Sequence, residues 1–280
     1  MSSWAYNTRR RPLLLGRPFR LGRLIRWCGL ILICAARIAS ADPAGDAASR
    51  QQADAIKVEA ATEALAKGGA QALAAHISAM RDVLAHIPKG YRKIEPVGDD
   101  IHFRAESIAD FAAFIAWTAD RARLRGQPAP RVVQLPDTYP AASFLLAWYY
   151  NDANEPEKAM AAADLGLAVA PREARLVGEK GQALLRLHRY EIALSLYDKV
   201  LTADDFLAPR GQALLLRAKG FTLTELRRFD EAEKAYRDSL ALEPDHVLAR
   251  NELAYIARLR GGGAPTPAQM TTYDKAKKGQ

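Results

Sequence analysis

Side chains able to do covalent or proton-transfer chemistry are few and scattered in this sequence. The five histidines are His76, His86, His102, His188 and His246, and no two stand four residues apart, the spacing that puts two metal ligands on one helical face. His188 and His246 fall at predicted turns, where a solvated ring is expected. Asp99-Asp100 and Asp204-Asp205 have the residue type for acid–base work, but their contexts make them turn and capping carboxylates. Both cysteines, Cys28 and Cys34, lie within the first 41 residues. A phosphate-binding glycine loop, a nucleophile elbow and a zinc-helix motif are all missing from the sequence. The expectation is therefore a non-enzyme with no catalytic residue, no metal and no cofactor. An enzymatic site, if there were one, would have to sit in residues 91–140, the least regular stretch.

What must be positioned is instead a binding surface. The chain has 280 residues, 49% hydrophobic, enough for one or two cores. Its net charge of +8 is uneven: residues 1–41 hold eight arginines and no Lys, Asp or Glu, so the rest of the chain is formally neutral. That removes the case for a nucleic-acid partner, which a basic chain would otherwise raise. The same 41 residues read as an export signal. Arginines run to Arg26, an apolar stretch follows from Trp27 to Ala36, and Ala39-Ser40-Ala41 supplies the small-x-small cleavage pattern. Ten apolar residues rise only about 15 Å as a helix, roughly half a bilayer's hydrocarbon thickness. Contact with the membrane is thus expected only transiently, through this segment. An uncleaved anchor extending from Leu13 and an organellar transit peptide remain alternatives. Arg10-Arg11 sits far from the apolar core for a twin-arginine signal, and the residue before Cys34 is not the small one that lipidation requires. The long basic region also leaves room for a start codon downstream of Met1. The expected product begins at Asp42-Pro43 in the periplasm or outside the cell.

Self-similarity fixes the architecture. Residues 140–173, 174–207 and 213–246 align on one frame, with small residues twelve apart in each: Ala147 and Ala159, Gly181 and Ala193, Gly220 and Ala232. The period is 34 residues, except for a five-residue insertion near Phe206. Each unit predicts two antiparallel helices whose crossing leaves no room for a large side chain. Tyr197 and Tyr236 lie one helical turn beyond the second small residue, on the same face. Pro171 and Pro244 end the second helix of their units. Asp230 with Glu233 is a plausible N-cap pair for the third unit.

On these residues the chain resembles the tetratricopeptide-repeat (TPR) family over about residues 140–261. It departs from the family at Ala163, which stands in an aromatic slot, and at Asp205, which stands for the terminal proline. The resemblance implies an all-α fold, a TPR helical-hairpin superhelix of about three repeats. Residues 247–260 serve as a C-terminal capping helix. The insertion is expected to distort the superhelix between units two and three. The resemblance also implies which positions line the concave groove: Phe144, Trp148, Asn151 and Asp152; Gly178, Gln182, Leu185 and Arg186; Arg217, Phe221, Thr224 and Glu225; Asn251, Tyr255, Arg258 and Leu259. From these, Trp148, Asn151, Gln182, Arg186, Arg217, Phe221, Tyr255 and Arg258 are the candidate partner-binding residues. They do not reproduce the Lys/Asn carboxylate clamp of chaperone-binding members. Alanine at Arg217 or Phe221 is expected to weaken binding without lowering stability. The competing expectation for Phe144 and Trp148 is packing against the N-terminal region.

The remainder, residues 42–139, predicts a mainly helical region with a helix break at Gly68-Gly69. A short hairpin around Gly98-Asp99-Asp100 follows, then an amphipathic helix over about 105–124 and an extended segment at 132–135. Degenerate repeats there remain open. The tail, 261–280, predicts disorder. The functional expectation is a protein-interaction scaffold of the cell envelope that binds a protein or extended peptide. The alternative is a self-associating structural component, a homo-oligomer.

Overall fold

The computed structural model describes residues 43–263, so the leader and almost all of the tail lie outside the described residues. Three helical hairpins follow one another on the expected frame: α4 (Thr138–Asp152) with α5 (Pro156–Val169), α6 (Ala174–Arg186) with α7 (Tyr190–Leu201), and α8 (Pro209–Glu225) with α9 (Phe229–Leu242). The helix α10 (Val247–Arg260) closes the array. No helix among the described residues is long and apolar enough to cross a membrane.

Each first helix ends in the same way. Asn154, His188 and Arg227, seven residues after the small positions Ala147, Gly181 and Gly220, adopt left-handed φ of 60°, 56° and 59°. The next N–H in each unit then reaches back to the helix: Glu155 N to Tyr150 O at 2.8 Å, Arg189 N to Leu184 O and Arg228 N to Leu223 O at 2.9 Å. These long-loop bonds satisfy carbonyls that the helix end would otherwise orphan, a Schellman closure made without glycine. His188 is thus a turn residue, and its Nδ1 lies 3.1 Å from Tyr190 Oη.

The small residues have a specific counterpart. A methyl group on Gly181 would collide with the ring and hydroxyl of Tyr197, and one on Gly220 would stand 2.9 Å from the Tyr236 ring. Glycine therefore admits the aromatic residue of its own second helix. Gly181→Ala is expected to destabilise by roughly 1–3 kcal/mol in urea unfolding, because the buried Tyr197 ring has nowhere to go. Gly178→Ala, whose nearest neighbour would be Leu214 at 3.9 Å, should be neutral or gain up to about 1 kcal/mol of helix propensity. Equal losses at both positions would refute the packing account. In the first hairpin the aromatic slot holds Ala163, and Ala159, Ala162 and Gly166 are buried beside it on α5. Bulk comes instead from Leu145, Leu146 and Tyr150 of α4.

The stacking continues across the insertion: Val177 of α6, Tyr197 and Val200 of α7, and Leu215 and Ala218 of α8 share one core. One expectation is corrected. Asp230 and Glu233 do not cap α9, which has no side-chain cap. They face α10 instead, where Arg260 pairs with Asp230 and lies 3.5 Å from Glu233, fastening the closing helix.

The N-terminal region combines helices with a small sheet. The helix α1 (Pro43–Leu73) contains a non-helical Gly69 and, with α2 (Ile77–Ala85), packs Leu73, Met80 and Val83 into the core of the first hairpin. The strands β1 (Ile94–Val97) and β2 (Asp100–Ala105) form an antiparallel hairpin around Gly98, whose φ is 59°. The helix α3 (Ile108–Leu124) then crosses over to β3 (Arg131–Pro136), which pairs parallel to β2. Ser107 caps α3 by accepting from Asp110 N at 3.1 Å. Phe103, Phe114 and Trp117 gather in this ββαβ unit, and Phe206 from the insertion stands 5.0–5.7 Å from all three rings. Arg121 also bonds Asp204 at 2.6 Å. The insertion is thus a strap that ties the repeats to the sheet.

Candidate functional site

The first helices α4, α6, α8 and α10 carry the residues that the sequence assigns to the groove, and the structure divides them into two groups. One group is enclosed. Asn151 is 2% exposed, and its Nδ2 donates to the Glu179 backbone oxygen at 2.9 Å and to Glu179 Oε2 at 2.7 Å. Gln182 is 8% exposed. Arg217 is 6% exposed and donates to Glu243 Oε2 at 2.5 Å. Phe144 is also buried, with the Arg175 guanidinium 4.7 Å from its ring centre. The sequence places Asn151, Gln182 and Arg217 on an open surface because it shows the helical face but not what covers it. Each is buried in the repeat array instead.

The other group stays accessible. Trp148 is half-buried and leans on the first core, so the expectation that it packs inward is met in part. Phe221 is half-buried against the second core. Arg186 is partly exposed and donates to Asn154 Oδ1 at 2.9 Å. Tyr255 is half-buried, and the exposed Arg258 places its guanidinium 5.1 Å from that ring. At least one aromatic or cationic side chain on each successive first helix is therefore presented, from α4 through α10. A surface of this kind supplies ring area and hydrogen-bond donors, the chemistry of protein recognition.

The electrostatics of the enclosed group follow from burial. Burial pushes the Glu179 carboxyl up to about 7, against the hydrogen bond from Asn151 and the charge of Arg186. Burial lowers the Arg217 guanidinium despite Glu243 beside it. His246 caps α10 by accepting from Ala249 N at 3.3 Å, and burial, then the charge of Arg217, lowers its pKa. That capping role is a correction to the solvated-turn reading.

Five charged side chains assemble where the sheet meets the repeats, a site the sequence does not reveal. They are Lys93, just before β1, Glu106, just after β2, Asp137 and Glu173, which head α4 and α6, and Arg175 in the first turn of α6. Lys93 pairs with Glu173 and lies 3.5 Å from both Glu106 and Asp137. Arg175 lies 2.6 Å from Glu106, 3.3 Å from Glu173 and 3.5 Å from Asp137. Oxygens of the three carboxylates fall within 4.8 Å of one another.

The stacked hairpins define an α-helical repeat protein. Residues 218–246 match the tetratricopeptide repeat family model. Tetratricopeptide repeat protein 21B of Homo sapiens is 30% identical over 112 residues, which is 39% of this chain and 8% of that protein. The protein of the same name from Xenopus laevis is 31% identical over 107 residues, 38% of this chain and 8% of that protein. These matches span less than a tenth of the length of those relatives. Among solved structures, the first TPR domain of the human RPAP3 protein is 21% identical with a TM-score of 0.40, over 44% of this chain and 93% of that one. MamA AMB-1 is 16% identical with a TM-score of 0.41, over 76% of this chain and 90% of that one. The hairpin frame, with a tetratricopeptide-repeat match at residues 218–246, gives the chain an all-α helical-hairpin superhelix of the tetratricopeptide type as its repeat array.

Proposed function

We propose that the chain is a protein-interaction scaffold of the cell envelope, exported after cleavage of residues 1–41, that takes a protein or extended peptide along its first helices. The observation that carries this reading is the accessible series Trp148, Arg186, Phe221, Tyr255 and Arg258 on successive helices. Rings of this kind offer contact area at low entropic cost, while the arginines satisfy the carbonyls and carboxylates of an extended chain. The reading assigns no reaction to the protein.

Affinity capture from the envelope fraction tests it. Tyr255→Ala and Phe221→Ala are expected to weaken capture by roughly 30-fold, the equivalent of about 2 kcal/mol at a binding hot spot. Arg237→Ala, an exposed change on the second helix α9, should have little effect. Loss of capture at Arg237 with none at Tyr255 would refute the groove. Sedimentation at the same concentrations tells a foreign partner from a second copy. The export half of the proposal has its own readout: N-terminal sequencing of the mature product should begin Asp42-Pro43. A product that retains Trp27–Ala36 would overturn it.

A further inference from the structure

The ionic cluster at the joint between the ββαβ unit and the repeats has an uneven charge. Three carboxylates, Glu106, Asp137 and Glu173, face two cations, Lys93 and Arg175. Two of the carboxylates are enclosed and the rest of the cluster sits at the rim: the side chains of Glu173 and Asp137 are 0% and 4% exposed, those of Lys93, Glu106 and Arg175 19%, 23% and 25%. A buried surplus of one negative charge is costly, and the ready remedy is a bound proton. The geometry points to a proton-dependent lock: the joint is closed when Glu106 and Asp137 together hold one proton, and it loosens when that proton is lost.

The helix N-termini at Asp137 and Glu173 offer partial positive charge, but the other side chains around the site do not supply a whole one. Arg104 lies over the Tyr91 ring at 4.3 Å and pairs with Glu95 at 3.1 Å. Tyr91 Oη is buried without a partner, which adds a neutral group beside Asp137. Tyr139 turns away, its hydroxyl 3.5 Å from Asp54 of α1. Glu179, further along α6, is held by Asn151 and adds negative potential near Arg175. The pKa directions agree with the charge count. Burial raises Glu106 well above the ordinary range, and burial raises Asp137 to about 6, in each case against the nearby cations. Glu173 moves the other way, because Lys93, Glu106 and Arg175 together outweigh its burial.

The sign follows. A carboxyl whose pKa is raised in the closed state keeps its proton there and loses it on opening. Opening is therefore favoured as pH rises from about 4 to the closed-state value near 6, and levels off above it. This mechanism is independent of whether a partner occupies the groove. It links the sheet to the repeats, because Arg175 is held between the cluster and the Phe144 ring.

Hydrogen exchange of the β1–β3 amides tests it, corrected for intrinsic rates, in the chain carrying Glu179→Gln so that this further raised carboxyl is silent. Opening should be roughly tenfold more frequent at pH 8 than at pH 5. Glu106→Gln, which leaves two carboxylates against two cations, should abolish that difference and hold exchange at the slow, pH 5 level. Asp137→Asn reaches the same balance from the other side and should do the same. An unchanged rate between pH 5 and 8, or an unchanged slope in both variants, overturns the lock. Slow exchange restored at pH 8 by Mg²⁺ or Ca²⁺ alone also overturns it, since a metal ion and not a proton would then be the balancing charge.

Discussion

Lys93→Met is expected to cost roughly 3–5 kcal/mol at pH 8, because it leaves the buried Asp137 and Glu173 and the partly exposed Glu106 facing one cation. Lys93 Nζ is within 3.5 Å of Glu106 and Asp137 and is bonded to Glu173. Burial opposes its charge, but the three carboxylates outweigh that and raise its pKa above the ordinary value. Methionine keeps the apolar stem, so lost packing contributes little. The sign with pH distinguishes this account from a packing defect. Without Lys93 the carboxylates must take up protons to stay buried, so their pKa values rise further. Raised carboxyl values favour the folded state at low pH and lose that advantage as pH rises. The deficit against the wild type should thus be clearly smaller at pH 5 than at pH 8 in urea titrations. A deficit of equal size at both pH values would mean that the cluster does not work through its charge.

The parts of the fold governed by local periodicity were legible in the sequence. The small residues at Gly181 and Gly220, the break at Gly68-Gly69, the hairpin at Gly98 and the insertion near Phe206 all appear where the sequence puts them. The Ser107–Asp110 cap was equally open to reading, since a serine three residues before an acid and ahead of an apolar stripe marks a helix start. The left-handed turns were hidden for a different reason: Asn154, His188 and Arg227 share a position but not a chemistry, and Arg227 is of a type that rarely adopts positive φ. The charged joint was not legible at all. Lys93 and Glu173 are 80 residues apart, and each reads alone as an ordinary surface charge. Only the crossover of α3, which carries the end of β2 back beside the start of α4, brings the five together. Phe206 has the same status: its spacing marks an insertion, but its ring partners come from a unit that begins more than a hundred residues earlier.

The groove shows the same limit on a smaller scale. A helical frame tells which side chains share a face, but the degree of cover depends on the next helix. Arg217 is the case with consequences. The sequence makes it a partner contact whose loss leaves stability alone; the structure makes it part of the interior, joined to Glu243 across 26 residues of chain. Arg217→Ala is therefore expected to destabilise by roughly 2–3 kcal/mol, below the full cost of breaking a buried pair because Glu243 is 29% exposed and partly screened by water. Arg217→Met combined with Glu243→Gln removes both charges while keeping the stem, and should recover most of that loss. Capture of a partner, scored per folded molecule, should be the same for Arg217→Ala as for the wild type. Tyr255→Ala should show the reverse pattern, with capture lost and the melting temperature nearly kept. If Arg217→Ala leaves the unfolding midpoint unchanged and abolishes capture, the guanidinium belongs to the binding surface after all, and its bond to Glu243 is the arrangement that a partner displaces.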